Sequence, residues 1–225
     1  MYRFTGRAVS TPYSHRMPPT KDRYHHGDLR EELLRASLQL IESEGLAAVS
    51  LRKVAREAGV SPGAPYHHFA DRSALLAALS NRGFEHLRDR MAAARATSGS
   101  PMETLVAMGE AYVRFAREQP AYFRLMFRPE LSQPEKNPDT EGAGDQAFAL
   151  LEETVTEATA DGVLPAADTE TFTLAWWALA HGLASLELDG KLVHRAEQMG
   201  TSASILADRV TRMFAELIES TRITG

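Results

Sequence analysis

The sequence predicts an all-α protein of about nine helices, a small basic head followed by a larger acidic body. Three observations carry that expectation. Apolar residues recur at helical spacing through most of the chain from Asp28 onward. Between Ser50 and Leu75 two short helical stretches meet at a tight glycine-containing turn. Charge is divided along the chain: residues 1–72 hold 11 Lys+Arg against 8 Asp+Glu (net +3), and residues 73–225 hold 14 against 22 (net −8), giving the total of −5. Five of the eight histidines fall in the positive part. A positive head on an acidic body is the asymmetry of a nucleic-acid-binding module.

With 44% hydrophobic and 24% charged residues over 225 positions, the chain has the composition of an ordinary globular protein. Cysteine is absent, which excludes disulfides and thiolate metal sites. No signal-type apolar segment opens the chain and no run approaches ~18 apolar residues, so a cytoplasmic location without a membrane span is expected. There is no Gly-rich phosphate loop, no metal-ligand spacing and no Ser-His-acid arrangement, and neither catalytic residues nor a cofactor are assigned. His67, His68 and Asp71 do not make a metal site, because consecutive histidines diverge by about 100° on a helix.

Residues 1–26 are polar, carry Pro12, Pro18 and Pro19, and show no helical period, so a disordered arm is expected. Its Arg3, Arg7, Arg16, Lys21 and Arg23 stand against Asp22 alone, which fits either a solvated tail or an arm that follows DNA. A head domain over 27–80 and a body domain over 81–225 follow. The first helix spans about Asp28 to Glu44, with Asp28 as cap and Leu29, Leu33, Ala36 and Leu40 on its buried face.

In the stretch SLRKVAREAGVSPGAPYHHFADRSAL, Ser50 caps a helix whose stripe is Val54, Ala55 and Ala58. Gly59 follows, where a left-handed residue is cheapest without a Cβ. Ser61 and Pro62 restart a second helix, as cap and first helical residue, running to about Phe69. Such a helix-turn-helix places its second helix in a DNA major groove. Gly63 and Ala64 keep the first turn of that helix slim, and Pro65, which has no N–H to donate, predicts a late or 3₁₀ start. His67, Ala64 and Arg52 are placed to meet base edges.

Gly59-Val60-Ser61, Tyr66-His67-His68-Phe69 and Arg72 resemble the recognition region of TetR-type (tetracycline-repressor-like) regulators, most specifically over residues 28 to about 80. Pro65 departs from the bulky aliphatic residue usual before the tyrosine. The resemblance implies phosphate contacts from Tyr66 and His68, and a backbone clamp from Arg72. With Ser50, Ser61, Pro62 and Gly63 these complete the expected DNA-contact set.

A long helix from about residue 71 to Thr97 carries Leu75, Leu76, Leu79, Phe84 and Leu87 inward, and in the family it links head to body. Ser100, Pro101 and Glu103 then signal a strong helix start. An aromatic-rich short helix spans Ala121 to Phe127, a mobile loop is expected over 128–144, and further helices over about Asp145–Ala160, Thr169–Leu188 and Ser202–Thr221. The last two are the dimer-forming helices of the family, with Leu183, Leu186, Leu206, Val210, Met213 and Leu217 as interface positions. Trp177, His181 and Gly182 resemble the Trp-His-Gly signature of one TetR subgroup. Trp177 and His181 share a helix face and line either a cavity or a packed core. Gly182 points to a close helix approach or a ligand entry. Phe123, Met126, Phe127, Phe148, Leu151, Trp177 and His181 are the candidate ligand residues.

The expectation is therefore a homodimeric repressor on a palindromic double-stranded DNA operator, released by a small apolar effector. A transcriptional activator or a ligand-independent regulator is the alternative, as is a helical small-molecule binder or enzyme with a vestigial helix-turn-helix.

Overall fold

A computed structural model describes residues 26–137, 139–164 and 169–222, so the expected arm lies outside the described residues apart from its last position. Ten α-helices and two 3₁₀ turns, with no strand, make up the described residues. The head holds α1 (His26–Glu44), α2 (Leu51–Glu57), the 3₁₀ turn Ala64–His67 and the start of α3 (Arg72–Thr97). The body adds α4 (Pro101–Glu118), α5 (Pro120–Met126), α6 (Pro129–Ser132), α7 (Asp139–Ala160), α8 (Thr169–Leu188), α9 (Lys191–Gln198) and α10 (Ala203–Arg222). Helix α1 begins at His26, so Asp28 sits inside the first turn rather than at the cap.

The apolar stripes do what their spacing requires. Leu33, Leu34, Leu40, Val54, Phe69, Leu75 and Leu76 are buried together in the head. The same core continues through Leu79, Leu87 and Met91 of α3 into the body. Helix α3 thus crosses the expected boundary at residues 80/81 without interruption and joins both regions. Asp71 caps it, accepting from the Ala74 N–H at 2.9 Å. Ser100 caps α4 in the same way, accepting from Glu103 at 3.3 Å.

Three expectations change. The segment 128–144 is not a loop throughout: Pro129 opens α6 in the first helical position, and α7 starts at Asp139. Asn137 donates to the Ser132 carbonyl at 2.9 Å and closes that turn. Helix α9 went unseen because only Leu192 and Ala196, one i,i+4 pair, are buried on it. Close helix approach occurs at Gly83 and Gly109 instead of Gly182: an added Cβ would meet Met126 Sδ at 2.6 Å and Thr211 Cγ2 at 2.9 Å, whereas at Gly182 it would meet nothing within 4 Å.

Candidate functional site

Two sites emerge, one on the head and one in the body. On the head, Ser50 accepts from the Lys53 N–H at 3.3 Å and starts α2, which ends in a Schellman motif. Val60 N–H donates to Ala55 O at 2.9 Å and Gly59 N–H to Arg56 O at 3.2 Å. Gly59 takes φ +68°, the left-handed conformation that a Cβ would strain.

The segment after this turn is tighter than an α-helix. Its bonds run three residues back, Ala64 N–H to Ser61 O at 3.0 Å, Tyr66 N–H to Gly63 O at 3.2 Å and His68 N–H to Pro65 O at 3.0 Å. Pro65 explains this: it has no donor and its ring would clash with the carbonyl four residues earlier. The recognition element is therefore the 3₁₀ turn Ala64–His67, not a helix from Pro62, and no side chain caps it, so Ser61 is not its cap. Pro65 and Phe69 are buried and anchor the turn, with the Arg30 guanidinium 5.5 Å over the Phe69 ring. Ser61, Pro62, Gly63, Tyr66 and His67 are exposed, as is Arg52 on α2; Ala64 and His68 are half-buried. Tyr66 is 53% exposed, an unusual place for a large aromatic ring.

Arg72 faces elsewhere. Its Nε donates to Val49 O at 2.8 Å and a terminal nitrogen donates to Leu46 O at 2.9 Å. The guanidinium is engaged by the turn between α1 and α2. These bonds tie the N-terminus of α3 to that turn.

In the body, α3, α4, α7 and α8 line a cavity of about 240 Å³ that is partly open to solvent. Four candidate ligand residues line it: Phe127, Phe148, Leu151 and Trp177. Phe123 and Met126 are buried outside it, Phe123 stacked on His181 with centroids 5.3 Å apart and Met126 filling the space above Gly83. His181 stands behind the wall, its Nδ1 3.0 Å from the Tyr112 hydroxyl and its ring against Phe127 and Trp177. Burial lowers the His181 pKa and raises that of the Tyr112 phenol, so both are neutral near pH 7.

Sequence reasoning missed Phe84, Leu87, Met91, Tyr112, Gly144, Ala147 and Trp176 as cavity residues. Helical spacing marks a side chain as inward-facing and does not distinguish a filled core from a wall. A buried tyrosine hydroxyl, which needs a partner, was the one available signal.

At the far end, Leu183 and Leu206 of the expected interface are buried within the chain, in a cluster with Val113, Leu192, Ala196 and Ala207 that Val210 packs against. Helix α9 covers them. Leu186, Met213 and Leu217 are exposed, as are Leu174 and Ile205.

Comparison with known proteins bears on both regions. The model for bacterial regulatory proteins of the tetR family matches residues 33–79. The model for the tetracyclin repressor-like C-terminal domain matches residues 105–214. The HTH-type transcriptional regulator BetI of Rhizobium meliloti (strain 1021) is 35% identical over 79 residues, 35% of this chain and 39% of that protein. The match thus spans about two-fifths of that relative. A solved structure of a protein with unknown function from Rhodococcus sp. RHA1 is 32% identical, with 88% of this chain and 100% of that chain covered at a TM-score of 0.76. The transcriptional regulator FadR of Bacillus subtilis, solved in complex with stearoyl-CoA, shares the fold at 14% identity and a TM-score of 0.67, over 82% of this chain and 97% of that one. Head and body are each matched, and the chain belongs to the TetR family of DNA-binding transcriptional regulators.

Proposed function

We propose that the chain acts as a homodimeric repressor on a two-fold symmetric DNA operator and leaves it when a small apolar effector fills the body cavity. The observation that carries the DNA-contact assignment is the exposed face of Tyr66 and His67, held on a turn anchored by buried Pro65 and Phe69. Tyr66 donates to a phosphate, with Ser50, Ser61 and half-buried His68 beside it. His67, Ala64 and Arg52 meet base edges. Arg72 acts at one remove, by holding the α1–α2 turn.

A second copy is supported by α8 and α10. On α8, Leu174 and Leu186 are exposed together with Ala175 and Ala178, and the space around Gly182 is open. On α10, Ile205 and Met213 are exposed large apolar residues. Such a face fits a helix pair packed against its two-fold mate. Effector and DNA are joined through α3, which lines the cavity with Phe84, Leu87 and Met91 and carries Arg72 at its N-terminus. Filling the cavity lowers operator affinity only insofar as the effector prefers the DNA-incompetent arrangement.

Selection of bound sites from a pool of random DNA duplexes, followed by sedimentation of protein and complex, tests this reading. Recovery of an inverted repeat bound by two chains is the expected result. Recovery of no preferred sequence, or binding as a single chain, would remove the proposal. A reporter behind the recovered site then separates repression from activation.

A further inference from the structure

The cavity restricts the chemistry of its occupant more tightly than its apolar character alone. Among the described residues no Asp, Glu, Lys, Arg or His lines it. Among the described residues the lining has three side-chain polar groups, and those of Trp176 and Tyr112 are already partnered. The Trp176 indole N–H donates to Leu105 O at 3.2 Å. The Trp177 indole N–H, which can only donate, lies beside the Tyr112 hydroxyl. The Tyr112 hydroxyl is hydrogen-bonded to His181 Nδ1, 3.0 Å away, and burial keeps that imidazole neutral. Among the described residues the wall therefore offers an entering molecule aromatic and aliphatic surface, no charge, and the Trp177 indole N–H as its one side-chain donor without a hydrogen bond.

Size narrows the class further. An apolar cavity of about 150 Å³ holds one benzene ring, so 240 Å³ corresponds to about ten non-hydrogen atoms by the same ratio. Only about half of an 18-carbon acyl chain would fit within that volume, and among the described residues a charged headgroup has no counter-charge in the wall. The ring arrangement favours a flat guest. Phe148 stands edge-on to Trp177 at 84° and Phe84 edge-on to Phe127 at 81°, which presents both faces and edges to an aromatic molecule.

We infer that the cavity binds an uncharged, hydrocarbon-dominated molecule of about ten non-hydrogen atoms, of the fused two-ring aromatic class. The inference rests on the proposed effector role of this cavity, but concerns only what the cavity holds.

The two tryptophans of the chain both lie on the wall, so intrinsic fluorescence of the full-length protein reports occupancy. The probes are 1,2,3,4-tetrahydronaphthalene, which has ten non-hydrogen atoms, and its 2-carboxylate. Saturable binding of the hydrocarbon at least about tenfold tighter than the carboxylate is expected from the unpaired charge. Gly144→Leu supplies the location test. A Cβ there lies 3.5 Å from the Phe84 ring in ordinary contact, so the helix tolerates it while the longer side chain enters the cavity. This variant weakens hydrocarbon binding about tenfold or more with no loss of melting temperature. Tyr112→Phe changes hydrocarbon affinity less than about threefold, because the hydroxyl is already committed. Equal or tighter binding of the carboxylate, no saturable signal, an unaffected Gly144→Leu, or a tenfold loss in Tyr112→Phe would each overturn the inference. Operator binding is followed in the same titration. Hydrocarbon binding that leaves operator affinity unchanged would defeat the effector reading while upholding the ligand class.

Discussion

Two tyrosine–histidine pairs, one on the head and one in the body, have opposite surroundings. Tyr66 and His67 are adjacent in sequence, exposed, and lie on a turn whose anchors are their neighbours Pro65 and Phe69. Tyr112 and His181 are 69 residues apart, joined by a hydrogen bond, with the tyrosine only 2% exposed. The same two residue types therefore serve different ends. Where the polar atoms are paired inside the protein, they support the fold and leave a hydrocarbon-like wall. Among the described residues the Tyr66 hydroxyl makes no hydrogen bond, so its capacity is left for a partner outside the chain.

The comparison breaks most visibly under truncation. Tyr112→Ala removes a fully packed ring and is expected to cost about 3–5 kcal/mol, as large aromatic truncations in cores do. Tyr66→Ala is expected to stay within about 0.5 kcal/mol of the wild type, since it removes an exposed side chain. Denaturant titration of both variants measures the difference, and comparable losses would show that the exposed ring is structural after all.

Arg72 provides the next largest effect. Arg72→Ala removes the side-chain donor from the Val49 carbonyl and from the Leu46 carbonyl, which keeps the Val49 N–H at 3.3 Å, and should cost about 1–3 kcal/mol. It should also weaken operator binding while leaving the salt dependence of that binding unchanged. A guanidinium that neutralised a phosphate would instead lower the slope of log affinity against log salt by about 0.9. The slope thus decides between the fixing role seen in the structure and the clamp implied by the motif.

Acidification separates the pairs more gently. The pKa of His181 is lowered from 6.5 by burial, and that of His86 by burial and then by Arg82. As pH falls below 6.5, the unfolded chain takes up protons that the folded chain does not. Stability therefore declines in that range and levels off once the folded imidazoles protonate. Asp71, held below its usual range by the Ser73 and Ala74 hydrogen bonds, adds a further decline only at lower pH. His181→Gln should remove part of the first decline in a pH series of thermal melts. An unchanged profile would show that His181 titrates as it does in the unfolded chain.

Much of this was legible in the residues, for reasons that differ between the regions. The head was readable because its signals are local: Ser50 is a cap, Gly59 takes the left-handed turn, and Pro65 forces the 3₁₀ start within a few residues of where each stands. The long helices α3, α4, α8 and α10 were readable from their periods. Helices α6 and α9 were not, because four and eight residues carry too few apolar positions to establish a period. The cavity was only half readable. Phe127, Phe148, Leu151 and Trp177 were identified, but whether inward side chains meet or leave a gap depends on interhelical geometry that no single helix encodes. The engagement of Arg72 with carbonyls 23 and 26 residues earlier was likewise invisible, and the motif pointed to a different partner.

The central claim is that the Tyr66–His67 face is kept for DNA and contributes nothing to the fold. It is tested most directly by measuring, on the same preparations, melting temperature and affinity for the selected operator and for random duplex, with Tyr66→Phe and His67→Ala beside the wild type. Melting temperatures should be unchanged. Tyr66→Phe should lose about tenfold or more on both DNAs, the value of one hydrogen bond to a charged phosphate. His67→Ala should narrow the ratio between operator and random duplex. Unchanged affinities in both variants, or losses that track a falling melting temperature, would contradict the account.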